Sequence, residues 1–271
     1  MTTSWRGPAC VIAAGLLFGC GGDDEAAPSK TSTPKAETPS SSSSPSESAS
    51  SKKVYDLAQA GSISGVVHYA GDVPEPKFQK MVGEVWCTEQ WPDGGFFLDN
   101  LVVNDGLVKD AFVWIKSGLE AFDFETPSEP VKLHQLNCLY QPRVVGVMTG
   151  QPLWATSDDH VMHNIHTKPK RNKESNKSLP YPDKQGYRDF EFKRPEIMIE
   201  VVCDVHAWMK GWIGVVEHPF YAVTGVDGAF TLQGVPPGDY VLGVWSEKLG
   251  EKELSVKVGE KAAVTGQDVT Y

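Results

Sequence analysis

The sequence predicts an all-β protein. Three observations carry this. From residue 62 to residue 271 apolar residues almost nowhere recur at helical spacing, and short β-like runs are separated by Gly, Pro and Asp. Turn chemistry is frequent. Val226-Asp227-Gly228-Ala229 reads as a hairpin turn, because Asp-Gly tolerates positive φ, and Pro236-Pro237-Gly238 reads as the next, ahead of alternating Tyr240, Leu242 and Val244. The third observation is Glu196 to Val202, where Ile197, Ile199, Val201 and then Cys203 fall on one face of a strand.

In chain order, Met1 to Gly19 holds one positive charge, Arg6, an apolar run from Ala9 to Phe18, and then Gly19-Cys20. This is an export signal, too short to span a bilayer. Leu17-Phe18-Gly19-Cys20 resembles the lipobox of bacterial lipoproteins, although Phe18 is bulkier than usual there. That resemblance implies removal of 1–19, lipid on Cys20 and a place in the bacterial cell envelope; simple secretory cleavage is the alternative. Gly21 lacks the Asp associated with inner-membrane retention, which leaves outer-membrane sorting open. Residues 20–61 read as a disordered tether, because Asp23 to Lys53 is Ser, Thr, Pro, Ala and Glu with almost no large apolar residue to offset the entropy of ordering. Ser62 to Tyr69, Leu107 to Lys116 and Phe230-Thr231-Leu232 are the next strand candidates.

The chemistry concentrates in Cys203-Asp204-Val205-His206-Ala207-Trp208-Met209. A thiolate, an imidazole and a thioether three residues apart form a soft-metal ligand set. Zinc sites use Cys, His and carboxylate and have no need of a thioether. Two His, one Cys and a weak axial Met describe a single electron-transfer copper ion. The missing His is expected from upstream, and His163 in Met162-His163-Asn164-Ile165-His166 is the best candidate. The alternative for Cys203 alone is a small buried hydrophobe.

These segments resemble the cupredoxins, the type 1 blue copper proteins, over 127–218, and the Cys-x-x-His-x-x-Met spacing looks amicyanin-like. Val144 to Leu153 looks like the family's strand, turn and strand ahead of the first ligand, and His163-Asn164 matches its His-Asn motif. The resemblance implies a Greek-key sandwich, ligands His163, Cys203, His206 and Met209, and an Asn164 that ties the two ligand loops together. It also implies that His206 lies near the surface as the electron exit and that acid releases it from the reduced metal, so the potential rises as pH falls. Ser157 stands where the family often has Asn.

Of the five cysteines, Cys10 leaves with the signal, Cys20 takes lipid and Cys203 takes metal. Cys87 and Cys138 remain, and in an exported protein a disulfide between them is expected, with free thiols or a second metal site as alternatives.

Thr224 to Tyr240 is similar to the carboxypeptidase regulatory-like, or transthyretin-like, β-sandwich, with Ile63 to Val67 and Asp110 to Trp114 as its earlier strands. Both precede the copper segment. The resemblance implies a sandwich of 62–126 plus 219–271 into which the cupredoxin unit 127–218 is inserted; a tandem order is the alternative.

His160 and His166 read as surface or supporting residues, and His134 and His218 carry no motif. Lys168 to Lys184 is a basic loop that could steer an acidic partner. The formal net charge of −10, more negative once Arg6 leaves with the signal, argues against nucleic acid. No phosphate-cradling loop and no nucleophile elbow appears, so nucleotide chemistry and a serine hydrolase have no support in the sequence, and the protein is expected not to be an enzyme. The leading expectation is a membrane-tethered electron carrier with redox-protein partners, whether cytochrome, oxidase or dehydrogenase. A copper-binding or delivery protein, or a carbohydrate- or protein-interaction module with a subordinate copper unit, are the alternatives.

Overall fold

The computed structural model describes residues 55–271. The export signal, Cys20 and the tether up to residue 54 lie outside the described residues. The described chain is β throughout apart from the helix Val85–Glu89 and a 3₁₀ turn at Leu57–Gln59. No helix among the described residues is long and apolar enough to cross a membrane.

Two sheets come from the stretches before residue 118 and after residue 220. One orders Ala229–Val235, Gly61–His68, Leu107–Lys109 and Val102–Asn104, with Ala263–Val264 and Val269–Thr270 running parallel to Gly61–His68. The other orders Tyr221–Val223, Phe112–Ser117, Gly238–Ser246 and Gly250–Val258. Their facing sides share a core that includes Ile63, Val67, Val113, Ile115, Leu232, Leu242 and Val244. Tyr240, Leu242 and Val244 all point into it, as their alternation predicts.

Two further sheets come from 131–216. One orders Asp183–Phe190, Leu153–Ser157, Val131–Leu136 and Leu139–Gln141; the other orders Ser175–Leu179, His163–Lys168, Glu196–Val202, Lys210–Val216 and Val144–Met148. Leu133, Val147, Leu153, Ile165, Ile199, Val201, Ile213 and Val215 fill the space between them. Phe112, Trp114, Val144 and Val216 form a smaller cluster that joins the second pair of sheets to the first.

The structure departs from the sequence reading at four places. The run Leu107 to Lys116 is two strands, because Asp110 takes φ 59° and carries the chain from one sheet to the other. Thr224 holds that crossing: its hydroxyl donates to Val108 O at 2.7 Å and accepts from Ala111 N at 2.9 Å. Neither predicted hairpin turn joins paired strands. Asp227-Gly228 and Pro236-Pro237 both lead from one sheet of the first sandwich to the other. Gly228 has φ +63°, and a Cβ there would sit 2.8 Å from Val67 O, so the turn is selected by close approach to a neighbouring strand rather than by hairpin closure. The end of the predicted tether is also ordered: Tyr55 packs edge-on at 6.0 Å from Phe122 and 6.2 Å from Phe220, and pairing begins at Gly61.

The fourth departure bears on function. Residues 78–98, assigned by the sequence to the first sandwich, pack on the core of the second. The strands Phe78–Lys80 and Gly95–Phe97 form their own two-stranded ribbon with the helix Val85–Glu89 between them. Met81, Cys87 and Phe96 join the core that contains Cys203 and Met209.

Candidate metal centre

The strand Glu196–Val202 delivers Cys203 into the second core. A bulge between Glu196 and Ile199, with Met198 at φ 61°, resets its alternation. Ile199 and Val201 then face inward with Cys203, whereas Ile197 turns to the cluster between the sandwiches. Past the strand the chain folds back on itself: Met209 N donates to His206 O at 2.9 Å, and Cys203 N donates to Met209 O at 3.3 Å. His163 opens the neighbouring antiparallel strand His163–Lys168.

This brings together the residues singled out in the sequence. His163, Cys203, His206 and Met209 are 0%, 3%, 2% and 1% exposed. The donor atoms of His163, Cys203 and His206 all lie within 4.8 Å of one another. Nδ1 of His163 is 2.9 Å from Nδ1 of His206, which in turn is 3.7 Å from Cys203 Sγ. Burial alone would push the Cys203 thiol up, but hydrogen bonds from His163, His206 and the backbone N–H groups of Asn164 and Val205 outweigh it and bring the pKa down to about 6.

Asn164 ties the two ligand loops together. Its side-chain oxygen accepts from Asp204 N at 2.7 Å, and its amide donates to Asp204 Oδ2 at 2.9 Å and Asn176 Oδ1 at 2.7 Å. His166 sits outside the donor cluster, bonded to Asp204 at 2.9 Å and Glu174 at 2.7 Å, and His160 is exposed against Trp86. His134 bonds Thr156 Oγ1 at 2.7 Å, and His218 lies in the first sandwich against Ile115 O.

Asp159 is the residue that sequence reasoning missed. It is fully buried, and its Oδ2 lies 2.8 Å from His163 Nε2, the nitrogen that faces away from the donor cluster. A carboxylate there fixes Nε2 as the protonated nitrogen and leaves Nδ1 as the donor, an arrangement common behind metal-bound histidines. The same carboxylate accepts from Asn137 N at 2.6 Å and Cys138 N at 2.8 Å. Those two residues form the tip of the hairpin Val131–Leu136/Leu139–Gln141, with φ 53° and 59°. A two-residue tip of that kind needs positive φ at both positions. Only the Asp-x-x-x-His spacing in the sequence hints at this role, and it is common.

Cys87 and Cys138 are joined as a disulfide. Cys138 therefore offers no thiolate, which disposes of a second donor grouping of Cys138, Asp159 and His163. The disulfide's position is unexpected. Cys87 Sγ lies 3.9 Å from Nε2 of His206, and Trp208 covers another side of that ring at 5.0 Å between centroids. The expectation of a surface-facing His206 is thus overturned: the segment 78–98 occupies the place where solvent would be. Trp208 and Trp212 are both half-buried; Trp208 donates to Cys138 O at 3.1 Å and Trp212 packs 5.2 Å from Trp245.

The donor set fits a soft or borderline ion. Two imidazoles and one cysteine sulfur, dry and held by neighbouring hydrogen bonds, suit copper or zinc, and a buried Met at the next turn of chain favours copper.

No protein-family model matches the chain, and no curated protein matches it. Among solved structures it is similar to the copper-containing nitrite reductase NirK from Thermus scotoductus SA-01, at 20% identity over 33% of this chain, with a TM-score of 0.29. The likeness spans only 23% of that reductase. A purple cupredoxin from Nitrosopumilus maritimus aligns at 22% identity, covering 31% of this chain and 98% of its own, with a TM-score of 0.26. The Cu(I) form of a mutant of amicyanin aligns at 18% identity over 39% of this chain and 98% of its own, with a TM-score of 0.28. At these TM-scores the likenesses assign no residue a role; what they share with this chain is a β-rich segment covering about a third of its length.

Proposed function

We propose that this protein carries single electrons in the bacterial cell envelope through one type 1 copper ion held by His163, Cys203, His206 and Met209, and that lipid on Cys20 anchors it to the membrane. The observation that carries the reading is the convergence of two buried imidazoles and the buried Cys203 sulfur, their donor atoms within 4.8 Å of one another. Copper bound there supplies a one-electron couple and an intense thiolate-to-metal absorption.

Everything else is done by the chain. Asp159 holds the His163 proton on Nε2, and Asn164 pins the His163 strand to the Cys203 loop through Asp204. Fixed donors reduce the rearrangement that separates the two oxidation states. The donor residues are almost wholly buried, which supports carriage over catalysis. The same burial supports a resident ion over one delivered elsewhere. The partners proposed are redox proteins of the envelope, a cytochrome, an oxidase or a dehydrogenase.

Titration of the purified protein with Cu(II) tests this. One equivalent should give an intense blue or purple colour, be reduced reversibly, and resist transfer to a chelator over hours. Weak colour with rapid chelator exchange would instead support delivery.

A further inference from the structure

We propose that residues 78–98 are a fixed cap over His206, latched by the Cys87–Cys138 disulfide, which keeps this histidine out of reach of outside ligands. The importance of sealing that residue rests on the copper reading; the cap itself does not. Its inner face belongs to the core through Met81, Cys87 and Phe96. Three contacts fasten it around the donor cluster. The disulfide sulfur of Cys87 lies 3.9 Å from His206 Nε2, the Trp91 indole donates to Asn137 O at 3.0 Å, and Trp86 lies 6.1 Å from His160 in the loop before His163. The outer face is different in kind: Val82 and Val85 are 77% and 71% exposed.

The segment is too short to hold this shape alone. A two-stranded ribbon and a five-residue helix are marginal in water, so the crosslink and the indole anchors must supply the closure. Both sulfurs are fully buried beneath the segment that they tether. Asp159 completes the device from the other side, since it grips Cys138 N with the same carboxylate that orients His163. One hairpin tip therefore positions the first histidine and latches the cover over the second. The proposed role is static: no bond is made or broken, and the disulfide stays oxidised.

Histidine labelling with diethyl pyrocarbonate, read residue by residue by mass spectrometry on the metal-free full chain, tests the cap without depending on copper. Exposed His160 is the internal reference. His206 should label at least about ten-fold more slowly than His160, and in the Cys87→Ser/Cys138→Ser double variant that protection should fall about ten-fold while buried His218 stays protected. Labelling of His206 at the His160 rate in the native chain would overturn the proposal, as would unchanged protection in a folded double variant. Should the double variant not fold, Trp91→Phe, which removes the indole donor to Asn137 and part of the ring packed on Phe96, should raise His206 labelling with no change at His218; no change at either would count against the cap. Loss of colour with copper in an otherwise protected chain would fault the copper reading and leave the cap standing.

Discussion

Asp159→Ala removes one carboxylate and strands three partners. Asn137 N and Cys138 N lose their acceptors at the hairpin tip, and His163 loses the group that fixes its ring. An unsatisfied buried donor costs about 1–3 kcal/mol. Cys138 N is buried and Asn137 N only partly so, so the two together cost roughly 2–4 kcal/mol, about 3 kcal/mol being expected here. For a folded chain of this size that is about 6–12 °C in Tm. Losing the orienting partner of a ligand should also weaken metal binding by about 10–100-fold. Thermal unfolding of the metal-free protein reads the first effect, and competition with a chelator of known affinity reads the second. Asp159→Asn, which keeps one acceptor oxygen, should recover part of the Tm. A metal-free Tm within about 2 °C of the native protein would refute the reasoning, because it would mean that the hairpin tip does not depend on this carboxylate.

His218 should set part of the acid response. Burial lowers its pKa to about 4 from the model-peptide value of 6.5, while its Nε2–H donates to Ile115 O and Nδ1 accepts from Phe220 N. The fold favours the neutral ring, so its contribution is fully present above pH 6.5 and is lost as pH falls toward 4, amounting to about 3 kcal/mol. Denaturant unfolding should show that slope, and His218→Gln should flatten it. Reduction of the disulfide, which closes a loop of sequence separation 51, should cost about 2–4 kcal/mol in equilibrium unfolding.

The donor cluster of His163, Cys203 and His206, with Met209 buried beside it in the same core, was legible because most of it is local. Cys203, His206 and Met209 follow one strand at fixed spacing, and His163 is marked by the adjoining Asn164, whose side chain spans both loops in the structure. The β class was legible from period and turn chemistry, yet the turns misled on pairing. Asp227-Gly228 has the same φ requirement whether it closes a hairpin or links two sheets, and the approach of Val67 O that decides between them is not written near it in the chain. The cap was hidden for a similar reason. Its helix of five residues is too short to show periodicity, and its anchors, Asn137 and Cys138, are far away in sequence. Asp159 was hidden as one carboxylate among 35 acidic residues, distinguished only by the burial that folding imposes.

The central claim is that Cys203 is the thiolate ligand of a type 1 copper ion, and the visible spectrum of the Cu(II)-loaded protein beside that of Cys203→Ser tests it most directly. The native chain should show the intense thiolate-to-copper band, and the serine variant should lose it while keeping the native far-ultraviolet circular dichroism of a folded β-protein. A native protein without the band, or a Cys203→Ser variant that keeps it, would contradict the assignment.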